Sequence, residues 1–504
     1  CQELLLKEIA WKRLGAYLNE TQILGSIQNT LYWDQNTTMP RKGASWRADQ
    51  LTYLAKILHE RTSSNILSDL ITSAETELKG TDGLDEMQFN AKMKNIELLK
   101  KELDRQSRID PILVEHLARA KSRGYESWQQ AKEDSEYKIF LPCFKELIKL
   151  RIEEANQISN KLSPWETLAQ PYEPDISKEW LFKIFNPIKE AIPLMLKNTK
   201  QFKKDTWDLD NNSQNQLCEK LLDVFGRDKN LVAVAESPHP FSITLGPKDF
   251  RITTRIVKGE PFSSLLATAH EWGHSVYEQG LPSQSHQWFA WPLGQATSMA
   301  IHESQSLFWE NRIVKSKAFS ESFFKFFVEK GCPLKNFEEL WKSMNTFKAG
   351  LNRVEADELS YGLHILIRTE LEIELIEGNL DPKDLPFEWN NMYEKLLGVK
   401  PPNDKSGCLQ DVHWSEGAFG YFPSYLIGHL ISAQLTSKLE EDLGFLDNLI
   451  SNNSYKLIID WLKENVHKYG RSLNAMELVK DVTNLELSPN YFISYLEKKI
   501  SLVN

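Results

Sequence analysis

The sequence predicts an all-α protein: a large multi-helix body with a small β-element. Apolar residues recur with the helical period of about 3.6 residues over most of the 504-residue chain. The main interruption is PHPFSITLGPKDFRITTRIV at 238–257, where β-branched residues alternate with polar ones between Gly and Pro. Such alternation is typical of a short strand pair.

Segments rich in Leu, Lys, Glu and Ala define the expected helices. Before the interruption they cover 2–30, 45–62, 85–105, 130–161, 178–203 and 213–224. After it they cover 304–330, 336–347, 353–377, 387–397, 419–443, 445–466 and 474–480. No repeat or long linker divides them, so we expect one domain over 1–504, with its ligand site in a groove between helices.

One further helix follows the β-element, in the stretch PFSSLLATAHEWGHSVYEQGLP. Ser263 or Ser264 is its expected N-cap, and Gly280 followed by Pro282 marks its end. Its residues are apolar or small over most of the circumference, so the helix is expected to be buried.

This helix contains a His-Glu-x-x-His motif, which predicts a metal site. His270 and His274 are four residues apart and lie on one helix face, so both imidazoles can reach one ion. Glu271 is rotated by about 100° from His270, which suits a base that activates a metal-bound water. The alternative is two hydrogen-bonded core histidines and an ion-paired glutamate.

A catalytic zinc usually has three protein ligands and one open position. We favour Glu303, in AIHESQSLFWENRI, as the third ligand, 29 residues after His274. Its neighbour His302 and the later Glu310 are alternatives. Two imidazoles and one carboxylate are the ligand set of thermolysin-like sites.

Composition excludes several other classes of function. The net charge is −10 and basic residues are scattered, which argues against nucleic-acid binding. No apolar run approaches the roughly 20 residues that a membrane helix needs, and the charged N-terminal stretch that follows Cys1 does not resemble a secretion signal. Five widely spaced cysteines predict reduced thiols in a cytoplasmic protein.

Further motifs give the chain a resemblance to a known family. They are LYWDQNTTMP at 31–40, HPF at 239–241, DFRIT at 249–253, HEWGH at 270–274, HESQ at 302–305, RVEAD at 353–357, GCLQDVHW at 407–414 and GAFGYFPSY at 417–425. In this order they resemble the carboxypeptidase Taq family of metallocarboxypeptidases over essentially the full length. The resemblance implies a neurolysin-like all-α fold with a deep groove, a homodimer, and one divalent ion per subunit, zinc or else cobalt.

The resemblance also implies removal of single residues from peptide C-termini with broad specificity, which requires further groups. His413 and Tyr421 are our candidates for donors to the oxyanion of the tetrahedral intermediate. Arg353 is the first candidate and Arg251 the second for binding the free C-terminal carboxylate, because the guanidinium fork pairs with both oxygens. His239 is expected to line the groove. Each of these residues has a structural alternative; for Arg353 it is ion pairing with Glu355, Asp357 or Glu358.

Two other functions fit the same metal motif. An oligopeptidase would cut internal bonds and would lack a carboxylate-binding arginine. A catalytically inactive peptide-binding protein would retain the motif without turnover, but the intact His270, Glu271, His274 and Glu303 argue against it.

Overall fold

The fold was analysed in a computed structural model, which describes residues 9–81, 83, 85–199, 207–285 and 288–503. Cys1, the predicted helical positions 2–8 and the predicted helix end at 200–203 lie outside these residues. Helices dominate the described chain, and they surround one short sheet. The all-α prediction is confirmed. No helix in the described part of the chain combines the length and apolarity needed to cross a bilayer.

Most of the helices before the sheet are joined by short segments. They are α1 (Ile9–Thr37), α2 (Ala44–Thr62), α3 (Asn65–Lys79), α4 (Glu86–Ser107), α5 (Pro111–Asp134), α6 (Tyr137–Ile158), α7 (Pro164–Ala169), α8 (Lys178–Asn198) and α9 (Asn211–Val224). Side-chain caps fix several of their starts. Asp110, for example, accepts a hydrogen bond from the Ile112 amide at 2.8 Å and Pro111 occupies the first helical position.

The sheet contains β1 (Val232–Glu236), β2 (Ser242–Gly246) and β3 (Asp249–Thr254), in the order β1-β3-β2. The predicted strand pair is the antiparallel hairpin of β2 and β3. Sequence reasoning missed β1, which pairs in parallel with β3, Val232 opposite Phe250. β3 is therefore the central strand.

The helices after the sheet form the rest of the body. They are α10 (Ser263–Gly280), α11 (Met299–Leu307), a π-helix (Phe308–Val314), α12 (Lys317–Glu329), α13 (Phe337–Met344), α14 (Glu358–Ile376), α15 (Leu385–Leu397), α16 (Pro423–Leu443), α17 (Leu446–Ser451), α18 (Tyr455–Asn465), α19 (Ala475–Thr483) and α20 (Asn490–Val503). Most of their buried side chains belong to one large core, which also holds α6, α8 and the sheet.

Several predicted boundaries were wrong. The helix expected over 304–330 is three elements, because the chain widens into a π-helix after Leu307 and then turns before α12. The predicted caps Ser263 and Ser264 are the first two residues of α10, and Phe262 precedes them without a side-chain cap. Ser264 instead donates to the Gln214 side chain at 2.9 Å, inside the core.

The helices α1, α3 and α4 enclose a second, smaller core. It joins the remainder of the body through Trp291, whose ring stacks on that of Trp11 with centroids 4.0 Å apart. In contrast, α2 has no buried residue and exposes Trp46 and Tyr53. The helices α1, α3 and α4 therefore pack around a core of their own.

Candidate metal centre

Two helices, α10 and α11, approach each other closely enough to share a site. Gly273 makes this approach possible, because a Cβ at this position would lie 2.5 Å from the Gln305 carbonyl oxygen and 2.6 Å from the Ser306 Cα. Both neighbours are backbone atoms of α11, which cannot move aside without moving the helix. The glycine between the two histidines of the motif is thus required by helix packing.

The side chains of His270, His274 and Glu303 meet at this contact. Glu303 Oε2 lies 3.6 Å from His270 Nε2 and 3.6 Å from His274 Nε2. One potential ligand atom from each residue lies within 4.8 Å of the other two. The three side chains keep 14–23% of their surface exposed, so the cluster is accessible from solvent.

The outer nitrogen of each imidazole already has a partner. His270 Nδ1 contacts Glu310 Oε2 at 2.9 Å, and Lys315 lies 3.3 Å from the other oxygen of that carboxylate. His274 Nδ1 contacts His302 Nδ1 at 2.6 Å, and His302 Nε2 contacts Glu278 Oε1 at 2.8 Å. Protons on His274 Nδ1 and His302 Nε2 satisfy both contacts and leave a lone pair on His274 Nε2, which faces Glu303.

This arrangement distinguishes the three candidates for the third ligand. Glu303 faces the Nε2 atoms, whereas Glu310 and His302 contact the Nδ1 atoms on the opposite edges of the imidazoles. Outer contacts of this kind fix the tautomer and orientation of metal-binding histidines. The geometry therefore favours Glu303 as the ligand and gives the two alternatives supporting positions.

The charge of the cluster also fits a divalent cation. Three carboxylates, Glu271, Glu303 and Glu310, surround His270. Burial alone would lower the pKa of His270, but Glu303 and Glu310 raise it to about 10. Because carboxylates on several sides of His270 favour a positive charge there, the cluster is suited to bind a cation. The donor set of two imidazoles and one carboxylate is that of catalytic zinc sites.

Glu271 lies beside this cluster and is 6% exposed. Burial raises its pKa to about 7, with His270 opposing and Glu303 adding to the effect. A carboxyl group with a pKa near neutrality can both accept and return a proton at physiological pH. The position and the pKa suit the role of general base.

A second cluster centres on Arg353 and the loop before α16. Arg353 Nε donates to Asp411 Oδ1 at 2.8 Å, and Nη1 donates to the Tyr361 hydroxyl at 3.3 Å. The other Asp411 oxygen accepts from Arg368 at 2.6 Å, and Arg368 is completely buried. Asp411 thus holds Arg353 in place and is itself held by Arg368.

Two of the three acids considered for Arg353 from the sequence, Asp357 and Glu358, have other roles. Asp357 caps α14 through the amides of Leu359 and Ser360, both at 2.9 Å. Glu358 pairs with Lys499 at 2.6 Å. The actual partner, Asp411, is 58 residues away in sequence.

His413 and Tyr421 lie together near Arg353. Their ring centroids are 5.5 Å apart, and His413 also packs on Phe422 at 4.6 Å. Burial lowers the pKa of His413 to about 4, so the imidazole is neutral at physiological pH. Burial raises the pKa of Tyr421, and the nearby Glu303 carboxylate raises it further. Tyr421 therefore remains a protonated donor within electrostatic range of the metal cluster.

Arg251 and His239 lie elsewhere. Arg251 on β3 forms a two-point contact with Asp249, at 3.0 and 3.1 Å, and its guanidinium lies 5.7 Å from the centroid of Trp33. His239 is exposed in the loop before β2. Neither residue belongs to the contacts around His270 or Arg353 described above.

Sequence reasoning missed the residues that support these two clusters. The outer partner Glu278 is one α-helical turn after His274, on the face that points towards α11. Asp411 lies two residues before His413 in the same QDVHW stretch. A search for acids within one turn of each proposed ligand would have found Glu278, but the pairing of Asp411 with Arg353 needs the tertiary fold.

Comparisons with known proteins agree with this geometry. The family model described as carboxypeptidase Taq (M32) metallopeptidase matches residues 13–500. Thermostable carboxypeptidase 1 of Thermus thermophilus is 34% identical, with 98% of each chain covered. Carboxypeptidase 1 of Bacillus subtilis is 32% identical, with 94% of each chain covered. The crystal structure of the M32 carboxypeptidase from Deinococcus radiodurans R1 superposes with a TM-score of 0.92 at 28% identity, covering 98% of this chain and 99% of that one.

Proposed function

The chain belongs to the carboxypeptidase Taq (M32) family of metallopeptidases, and from this membership we propose which of its residues perform the reaction. It is a metallocarboxypeptidase, a peptide hydrolase that works with a divalent metal ion. The proposal rests above all on the position of Glu303 Oε2, 3.6 Å from both His270 Nε2 and His274 Nε2.

We propose that His270, His274 and Glu303 hold one divalent ion per subunit, and that this ion is zinc, with cobalt as the alternative. When bound, such an ion acts as a Lewis acid that increases the acidity of water and polarises the scissile carbonyl. Affinity order among divalent metals does not reveal the one used in the cell. Elemental analysis of natively purified protein tests this choice.

Glu271 is the proposed general base. Its carboxylate takes a proton from the attacking water and then delivers it to the leaving amine, so the residue returns to its initial state. The buried position beside His270 supports this role. Glu310 and the His302–Glu278 pair orient the two imidazoles through the contacts described above.

Tyr421 and His413 are the proposed donors to the oxyanion that develops on the carbonyl. One such donor typically contributes about 2.7–4 kcal/mol to transition-state stabilisation. The protonated phenol of Tyr421 has its pKa raised by burial and by Glu303, which supports a position close to the reacting carbonyl. The neutral His413 supplies a second donor without adding charge.

Arg353 is the proposed binding residue for the C-terminal carboxylate. Asp411 and Tyr361 engage its Nε and Nη1, and three of its five N–H donors are left for a substrate. We retain Arg251 as a second candidate for peptide binding and His239 as a residue of the groove. The two-point contact of Arg251 with Asp249 makes it the weaker choice.

Further proposals concern the domain, the substrate groove, the cellular compartment and the oligomeric state. We infer that residues 1–504 form one catalytic domain, that substrate enters a deep groove, and that the enzyme is a cytoplasmic homodimer. The single domain is supported by the family model, which spans 13–500. A reducing compartment is supported by the free cysteines, which are Cys143, Cys218, Cys332 and Cys408. The exposed Trp46 and Tyr53 on α2 suit a subunit contact. Sedimentation of the full chain tests the oligomeric state.

Digestion of matched peptides tests the proposed function. The metal-loaded enzyme should release residues one at a time from free C-termini and largely reject the same peptides with C-terminal amides. Internal cleavage of both forms would indicate an oligopeptidase instead. Failure of zinc or cobalt to restore any turnover to metal-free protein would indicate an inactive binding protein.

A further inference from the structure

A cavity of about 440 Å³ lies apart from the metal centre. Its walls come from the π-helix, α16, α17 and α20, and Trp341 of α13. None of the proposed metal, base, oxyanion or carboxylate-binding residues lines it. Cavities of this volume are in the range that binds small organic ligands.

Arg312 of the π-helix lines this cavity with its hydrogen bonds unused. The side chain is 5% exposed, and its Nε has no hydrogen-bond partner. The guanidinium lies 3.2 Å above the centroid of the Tyr495 ring. Stacking of this kind engages the face of the guanidinium, whereas its N–H donors lie in the plane and remain available. Among the described residues, Arg312 forms no ion pair.

The surroundings of Arg312 carry a surplus positive charge. Lys315 pairs with Glu310, and Lys499 pairs with Glu358. Burial opposes ionisation of Glu358, but Lys499 is the main cause that lowers the pKa of this carboxyl to about 2, so Glu358 is ionised at neutral pH. Arg312 lies within electrostatic range of Glu358, but Glu358 pairs with Lys499, so Arg312 has no carboxylate of its own. Burial of a third cation beside two carboxylates that are already paired is costly, and a bound anion reduces that cost.

The remaining lining residues indicate which end of a ligand would be charged and which part would be apolar. Glu440 and Asp447 are the acids of the wall, and Asp447 is exposed, so it belongs to the mouth of the cavity. Arg312 and Lys499 are buried and belong to the floor. Between them Trp341, Tyr491, Leu446 and Leu502 provide aromatic and aliphatic surface. An anionic group at the floor with an apolar body towards the mouth matches this distribution.

We propose that this cavity is a second ligand site, which binds a small organic carboxylate with an aromatic or aliphatic body. Arg312 pairs with the carboxylate through its planar fork, which matches the two oxygens. The apolar body contacts Trp341 and Tyr491. The site is separate from the Arg353 cluster, where the carboxylate of a peptide substrate is proposed to bind.

Fluorine NMR on the metal-loaded full chain tests this proposal, with 3-(4-fluorophenyl)propionate as the probe and its neutral amide as the control. The probe should bind saturably, and the amide at least about tenfold more weakly. Because the probe can also bind at Arg353, the cavity is measured in the Arg353→Gln background, which should keep a saturable site. Adding Arg312→Gln to that background should weaken probe binding by at least about tenfold. Loss of all binding in Arg353→Gln alone, or unchanged affinity in the double variant, would overturn the proposal.

A second variant tests the cavity independently, in case Arg312→Gln does not fold. Thr436 lines the cavity from α16 and is half-buried, so Thr436→Phe fills the space without removing a charge. In the Arg353→Gln background, this variant should keep the thermal midpoint of the background protein and lose probe binding. Full probe affinity in a folded Thr436→Phe protein would place the probe outside the cavity and contradict the assignment.

Discussion

Gly428 of α16 lies directly against Glu303 of α11. A Cβ at position 428 would be 2.9 Å from Glu303 Cγ and 3.0 Å from Glu303 Cβ. Glu303, the third proposed ligand, is therefore held between α10 and α16, and α16 has no side chain at the point of contact. Helix packing, and not only hydrogen bonding, sets the direction of this carboxylate.

This contact predicts that Gly428→Ala weakens metal binding. The added methyl group forces the Glu303 side chain away from the imidazoles, and changes in residues that orient ligands typically cost about 10- to 100-fold in metal affinity. Chelator competition measures the effect. Gly25→Ala on α1 is the matched control, because nothing lies within 4 Å of a Cβ there. Equal metal affinity in both variants would show that the contact does not position Glu303.

Glu271→Gln should separate metal binding from catalysis. The amide keeps the shape of the side chain but cannot accept the proton, so turnover should fall by about 10²–10⁴-fold. Metal content, measured by elemental analysis, should stay at one ion per subunit because Glu271 is not among the three ligands. Near-normal turnover in this variant would remove Glu271 from the mechanism.

Arg353→Gln should abolish discrimination between free and amidated C-termini. Loss of a charged hydrogen-bonding partner costs about 1.5–3 kcal/mol, roughly 10- to 100-fold in kcat/KM, for the free carboxylate only. Asp411→Asn should reproduce part of this loss, because Asp411 orients Arg353 at 2.8 Å. Steady-state kinetics on paired peptides provide the measurement. If Arg251→Gln has the larger effect, the carboxylate site lies at β3.

The buried pair of Glu358 and Lys499 predicts a pH-dependent contribution to stability. Glu358→Gln leaves a buried ammonium group without its partner and should lower the free energy of unfolding by about 3–5 kcal/mol at neutral pH. Lys456→Ala breaks the exposed pair with Asp460 and should cost less than about 1 kcal/mol. Urea unfolding measures both variants, and similar losses would contradict the difference in burial.

The sign of the pH dependence follows from the lowered pKa of Glu358. Burial opposes the shift, but Lys499, Arg312 and Lys315 lower the pKa from 4.5 to about 2. The stabilising contribution is therefore complete above about pH 4.5 and is lost as the pH falls towards 2. The difference in unfolding free energy between wild type and Glu358→Gln should narrow over this window. A difference that stays constant down to pH 2.5 would contradict the assignment.

The parts of the site that depend on spacing within one helix were predictable from sequence. His270, Glu271 and His274 occupy one turn of α10, so their relative geometry follows from the helical repeat. The hairpin of β2 and β3 was also predictable, because alternation and turn residues are local signals. β1 lacked such a signal, since its partner β3 follows only after an intervening strand.

The relationships between distant segments could not be derived from one sequence. Asp411 pairs with Arg353 across 58 residues, although three acids stand closer to Arg353 in the chain. A regular helical repeat places Glu310 on the face of Glu303, seven residues earlier, but it does not show that Glu310 contacts the outer Nδ1 edge of His270. Packing of several elements decides each of these contacts.

The anomalous diffraction signal of crystals soaked with zinc tests directly whether His270, His274 and Glu303 hold the metal. We expect one strong peak per subunit, within about 2.0–2.2 Å of His270 Nε2, His274 Nε2 and an oxygen of Glu303. A peak coordinated by His302 or Glu310 in place of Glu303, or no peak between α10 and α11, would contradict it.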